Sequence, residues 1–132
     1  MKSKKGRSKT NRNNVKKGGS NSNKSTVFDQ FAQAYVYLLL SNDVGANEIG
    51  ATLMRQCSQT IIDNYADIFR DLLLSDNLRV KEIGTTLMLN CSKEVINIFA
   101  DLYREFLLSD DERVKAIGTV LMKANNNNNN NN

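Results

Sequence analysis

The stretch LLLSDNLRVKEIGTTLM, Leu72 to Met88, recurs as FLLSDDERVKAIGTVLM, Phe106 to Met122, and more loosely as LLLSNDVGANEIGATLM, Leu38 to Met54. Each copy begins 34 residues after the one before it. A fixed period of this length marks supersecondary units that cannot bury an apolar face alone and bury it on one another instead. The body of the chain therefore divides into three units: Lys24 to Cys57, Ser58 to Cys91, and Ser92 to Asn125.

Each unit predicts two helices. In the second unit Ile61, Ile62, Tyr65, Ile68, Phe69, Leu72 and Leu73 fall at i, i+3, i+4, i+7 spacing, the pattern of a one-sided helix, here called helix A. Val95 to Leu107 repeats the pattern in the third unit and Val27 to Leu39 in the first. Ser75, Asp76 and Asn77 then interrupt it, because short polar side chains compete for local backbone groups and favour turns and helix starts. A second apolar run follows in Val80, Ile83, Gly84, Leu87, Met88 and Cys91, here called helix B. Ser58 and Ser92 are positioned to cap the next helix A. With no proline in the chain, six continuous helices are expected.

Gly50, Gly84 and Gly118 stand at the same place in every helix B. A mid-helix glycine costs about 1 kcal/mol relative to alanine, so a recurring one calls for a steric reason. The expected reason is a crossing with another helix too close for a side chain.

Among known repeats of similar length, the tetratricopeptide signature W-x2-L-G-x2-Y and the ankyrin T-P-L-H are both missing. The units resemble the HEAT repeat, whose second half reads L-L-x-D, a short gap, then V-[R/K]-x-x-[small]-x-x-x-L. Leu73, Leu74, Asp76, Val80, Lys81, Gly84 and Met88 match it in the second unit. Leu107, Leu108, Asp110, Val114, Lys115, Gly118 and Met122 match in the third. The resemblance covers about residues 27 to 124 and implies an all-α fold, a short α-solenoid of three helix pairs. It also implies a ladder linking the Asp of one unit to the basic residue of its neighbour, through Asp76, Asp110, Lys81 and Lys115. The first unit departs from the pattern with Asn42, Gly45, Ala46 and Asn47, which reads either as an N-terminal cap or as relaxed selection.

Charge separates the body from its leader. Residues 1 to 26 hold nine Lys or Arg and no acid, whereas the rest holds nine basic and all 14 acidic residues, so +9 precedes a body of −5. The bulky apolar residues of that leader are Met1 and Val15, too few to offset roughly 1–2 kcal/mol of backbone entropy per ordered residue. A disordered basic tail (1–26), a HEAT-like domain (27–124) and a disordered poly-Asn tail (125–132) are the expected organisation. The leader lacks the apolar core of a secretory signal, and the apolar runs fall short of the roughly 20 residues a membrane helix needs. An intracellular protein, nuclear or cytoplasmic and without membrane attachment, is the expectation.

Residue types also limit the chemistry. The chain has no histidine, which removes the commonest general base and metal ligand. Cys57 and Cys91 lie 34 apart without C-x-x-C spacing and read as small buried apolar side chains rather than a redox or zinc pair. No enzyme activity, cofactor or metal is expected. The expected function is a non-enzymatic protein-interaction module or adaptor. Its partner would meet the exposed face of helix B through Arg79, Lys81, Glu82, Arg113 and Lys115. Self-association through the C-terminal unit is expected as well, since solenoid ends expose apolar surface unless capped. The alternative is a nuclear, nucleic-acid-associated protein that uses Lys4, Lys5, Arg7 and Lys9 for salt-dependent phosphate contact.

Overall fold

The computed structural model describes residues 26 to 130, with side chains for 27 to 126. Helices alone form the regular structure of the described residues. There are three helices per unit, not two. The first unit gives α1 (Thr26–Asp29), α2 (Ala32–Leu39) and α3 (Val44–Met54). The second gives α4 (Gln59–Asn64), α5 (Ala66–Leu73) and α6 (Leu78–Leu89), and the third α7 (Lys93–Ile98), α8 (Ala100–Leu107) and α9 (Glu112–Asn130).

Helix A is thus broken, contrary to the expectation of six continuous helices. The break falls on an aromatic residue in each unit, Phe31, Tyr65 and Phe99, with φ of −110°, −103° and −100° and ψ near 20°. These angles lie in the bridge region, outside the α-helical well. A tight i→i−3 bond closes each corner, from Phe31 N–H to Phe28 C=O, Tyr65 N–H to Ile62 C=O and Phe99 N–H to Ile96 C=O. The cause is not proline. In the first two units the short half also reaches the following unit, whereas in the third α7 and α8 both lie against α9. Asp29 and Asp63, on the short halves, accept hydrogen bonds from the backbone N–H of Ser58 (2.7 Å) and Ser92 (2.9 Å) in the following unit. The long halves α2, α5 and α8 lie against their own α3, α6 and α9. Tyr103 spans the third break, its buried hydroxyl donating to the Ile96 C=O at 2.7 Å.

The turn after each long half is built alike. Ser41, Ser75 and Ser109 accept through Oγ from the N–H of Asp43, Asn77 and Asp111 at 3.1, 3.0 and 3.0 Å. Those three residues in turn cap the next helix, accepting from Gly45, Arg79 and Arg113 N–H at 3.3, 2.8 and 2.8 Å. Ser58 and Ser92 cap α4 and α7 as expected. One turn further in, Asn47 is only 2 % exposed. Its amide nitrogen lies 2.9, 3.0 and 2.9 Å from the carbonyls of Leu38, Leu39 and Ser41, which have no partner inside α2 because a helix leaves its last carbonyls open. Lys81 holds the same position in the second unit and donates to Leu73 C=O at 2.9 Å. Asn47 is therefore not erosion: it does the work of the lysine from closer in.

The Asp–Lys ladder implied by the HEAT resemblance is absent among the described residues. Lys81 goes to Leu73 C=O and lies 5.1 Å from the Phe106 ring centroid, and Lys115 pairs with Glu112 at 3.2 Å. Asp76 and Asp110 are exposed. Leu74 and Leu108, matched to the motif, end α5 and α8 as exposed caps rather than core residues.

The core runs through Leu39, Met54, Ile62, Phe69, Leu73, Leu87, Met88, Tyr103 and Leu121. Helix α3 packs on α6, and α6 on α9. The glycine expectation holds at atomic scale. A Cβ on Gly84 would meet Leu73 N at 2.9 Å and Phe69 O at 3.0 Å, and Gly50 and Gly118 face the same backbone positions of α2 and α8 within 3.1 Å. At the other end of the described residues α9 continues to Asn130, and Asn125 is buried. Extending an existing helix forms one hydrogen bond per residue ordered, without the nucleation penalty. Asn125 also falls on the apolar side of α9, where Cys57 and Cys91 stand in the earlier units.

Two substitutions test these contacts. Gly84→Ala is expected to lower stability by about 1–3 kcal/mol through overpacking, although the same change in an exposed helix raises it by about 1 kcal/mol; a stabilised variant in urea denaturation refutes the close approach. Asn47→Leu leaves carbonyls unpaired and is expected to lose about 1–3 kcal/mol, while Asn47→Lys, copying Lys81, loses distinctly less. Equal losses would show that the donor at position 47 does not matter.

Candidate interaction surface

The three helix B elements, α3, α6 and α9, lie side by side and leave two shallow grooves between them. The first, about 250 Å³, is lined by Glu48, Ala51, Thr52 and Arg55 from α3 and by Arg79, Glu82, Ile83 and Thr86 from α6. The second, about 330 Å³, lies between Glu82, Thr85 and Thr86 of α6 and Arg113, Ala116, Ile117 and Val120 of α9. The apolar floor comes from Ile83 and Ile117, both buried. Arginine, glutamate and threonine form the walls, because their positions alternate around the helix with the buried ones.

A charge relay runs along this face. Arg79 of the second unit pairs with Glu48 of the first and, at 3.3 Å, with Glu82 on its own helix. Its hydrogen bond to the Glu48 carboxylate, foremost, raises the guanidinium pKa above its ordinary value. Arg113 stands where Arg79 does, one unit on, but turns back to its own cap, Asp111, at 3.3 Å. That hydrogen bond lowers the Asp111 carboxyl below its ordinary value. Glu82 therefore answers Arg79 and leaves Arg113 facing the second groove with its charge directed at the turn.

The expected site residues separate on this geometry. Arg79, Glu82 and Arg113 are exposed and line the grooves. Lys81 and Lys115 are half-buried and line neither groove, being directed at Leu73 C=O and Glu112. Glu48 and Arg55, which the sequence reading left out, belong to the first groove. The signal for Glu48 was present in the 34-residue register, since it aligns with Glu82, whereas Arg55 aligns with Leu89. Lys4, Lys5, Arg7 and Lys9 lie outside the described residues.

Both thiols are buried. The Cys91 thiol donates toward Leu87 C=O at 3.7 Å. Burial, with the Asp63 charge adding to it, pushes its pKa up to about 12. A thiol held neutral is neither a nucleophile nor a metal ligand at neutral pH. No cluster of three or more His, Cys, Asp or Glu suited to a metal ion occurs among the described residues. None of their helices is long and apolar enough to cross a membrane.

The raised Cys91 value has a measurable consequence. An ordinary thiol titrates near 8.5, so the stability conferred by a neutral Cys91 is complete below that pH. It is lost progressively as pH rises toward about 12. Peptide mass spectrometry at pH 8 is expected to show Cys91 in the native chain alkylated at least about 100-fold more slowly than in denaturant. Labelling at the denatured rate overturns the buried, neutral thiol.

No family model, no curated protein and no solved structure matches this chain.

Proposed function

We propose that the chain is a short α-solenoid of three HEAT-like units and works as a non-enzymatic protein-interaction module or adaptor, presenting the α3–α6–α9 face to a protein partner. One observation carries the reading: three equivalent helices share one face whose grooves have an apolar floor, Ile83 and Ile117, and walls of both charge signs. Such a surface suits a protein segment that offers small apolar side chains between charged ones. Complementary charge of this kind governs specificity and association rate more than raw affinity. The recurrence of caps and glycines at 34-residue spacing supports the solenoid, because each unit solves the same geometric problem with the same residue types. The buried reduced thiols and the basic leader fit an intracellular setting, nuclear or cytoplasmic.

A second reading rests on the leader alone. Nine basic residues without an acid in residues 1 to 26 favour nucleic-acid contact or nuclear import, with the helical body as platform. The groove face does not favour nucleic acid, since Glu48 and Glu82 stand among its arginines.

The two readings separate in one experiment. Arg79→Glu with Arg113→Glu alters exposed side chains of the face, and Lys4, Lys5, Arg7 and Lys9 to Ala alters the leader. The protein partner captured by the parent chain is expected to be lost with the first variant and kept with the second, with melting temperatures unchanged in both. Loss through the leader variant, with salt-sensitive nucleic-acid binding in the parent, transfers the function to the tail.

A further inference from the structure

The two ends of the described body are open, and they are open to each other. Three side chains facing the amino-terminal side differ sharply from their counterparts one and two units on. Ile49 is 57 % exposed, whereas Ile83 and Ile117 are 7 % exposed. Leu53 is half-buried where Leu87 and Leu121 are fully buried. Phe31 is 55 % exposed, while Tyr65 is partly covered and its hydroxyl donates to Gln33 Oε1 of the preceding unit at 3.4 Å. Each of these is covered in later units by the unit before it. Among the described residues the first unit has none.

The carboxyl-terminal side shows the converse. Leu107 and Met122 are half-buried, whereas Leu39, Leu73, Met54 and Met88 are at most 1 % exposed. Thr119 is exposed, while Ala51 and Thr85, its counterparts, line the grooves toward the next helix B. Here the covering unit would come after, and the described chain has none.

We infer that a second copy of this chain covers these surfaces, with the α8–α9 end of one copy docking on the α1–α3 end of the next in continuation of the internal junction. Charge supports a second copy over an unrelated apolar partner. Inside the chain the first junction is crossed by Glu48 and Arg79, and Glu82 and Arg113 stand at the same positions of the second. At the open ends Ala116 takes the glutamate position and Gly45 the arginine position. Both members of the pair are gone together, so a copy-to-copy junction buries neither an unpaired carboxylate nor an unpaired guanidinium, the penalty that makes a mismatched interface costly. The composition of residues 1 to 25, with Met1 and Val15 as its bulky apolar groups, is a poor match for Ile49, Phe31 and Val27. A head-to-tail contact of this kind is heterologous and does not close on itself after two copies.

This inference rests on the stacked-unit reading but not on the groove, and the experiment keeps the two apart. Ile49→Arg blocks the amino-terminal end and Thr119→Arg the carboxyl-terminal end, both at exposed positions, in the full-length chain. Sedimentation equilibrium of the parent is expected to show a weight-average mass that climbs with concentration past twice the 14.8 kDa protomer. Each variant alone is expected to remain at the protomer mass, because every copy carries the same blocked end. Mixed in equal amounts they are expected to reach about twice that mass and stop, since one free end of each kind remains. Circular dichroism melts matching the parent establish that the variants fold. A parent that stays monomeric at high concentration overturns the inference, as does Thr119→Arg still dimerising alone, which signals a symmetric amino-terminal contact. Neither outcome touches the groove, whose loss is read by Arg79→Glu with Arg113→Glu.

Discussion

Everything in this fold depends on how closely helix B approaches the long half of helix A. With Gly50, Gly84 and Gly118 at the crossing, backbone meets backbone at distances that leave no room for a Cβ. The glycine forgoes about 1 kcal/mol of helix propensity. In exchange the flanking large residues reach full burial: Phe69, Leu73, Leu87 and Met88 all surround the second crossing at 0 % exposure. Fully burying side chains of this size is worth about 1.5–3 kcal/mol each, so several of them outweigh one glycine. The close crossing also fixes where α5 points, and the short half α4 must then turn away to reach the next unit through Asp63 and Ser92.

That dependence explains what could be read from the sequence and what could not. The period, the glycine contact, the serine caps and the burial of both cysteines were legible because each is a local rule repeated at one spacing. The breaks at Phe31, Tyr65 and Phe99 were not. Their apolar pattern is continuous across the corner, and proline, the usual local signal, is absent. In the first two units the short half also answers the following unit, a tertiary contact that periodicity does not record. The lysine of the resembled motif was misread for a similar reason. A charge in a repeat invites an ionic partner, yet Lys81 serves as a hydrogen-bond donor to a helix end, a task that Asn47 performs without charge. On the candidate face, Arg79, Glu82 and Arg113 were legible as exposed helix B residues, while Glu48 lies in the unit that departs most from the repeat and Arg55 has Leu89 as its counterpart.

The first unit changes meaning in this light. Its departures from the repeat are not spread at random: Gly45 removes a cation from a surface with no glutamate behind it, and Asn47 keeps the capping task. What it does not do is turn polar. A terminal unit that capped the body would replace Ile49 and Phe31, and it keeps both exposed. An eroded unit loses residues without regard to position. This one drops the charge that would be unpaired and retains the apolar groups that an added unit would cover.

The opposite end shows what departing from the repeat does when the position is interior. Asn125 takes the place held by Cys57 and Cys91 and is equally enclosed, at 5 % exposure. The cysteines suit that place because a thiol tolerates apolar surroundings and still donates weakly to the carbonyl one turn back, as Cys91 does. Asn125 directs its amide nitrogen at the Met122 sulfur, 3.7 Å away, and its buried Oδ1 has no hydrogen-bond partner. An unsatisfied buried acceptor costs about 1–3 kcal/mol. The same end has the half-buried Leu107 and Met122, so the third unit combines an internal penalty with incomplete burial. The carboxyl-terminal pair therefore has burial to gain from whatever comes to lie against it.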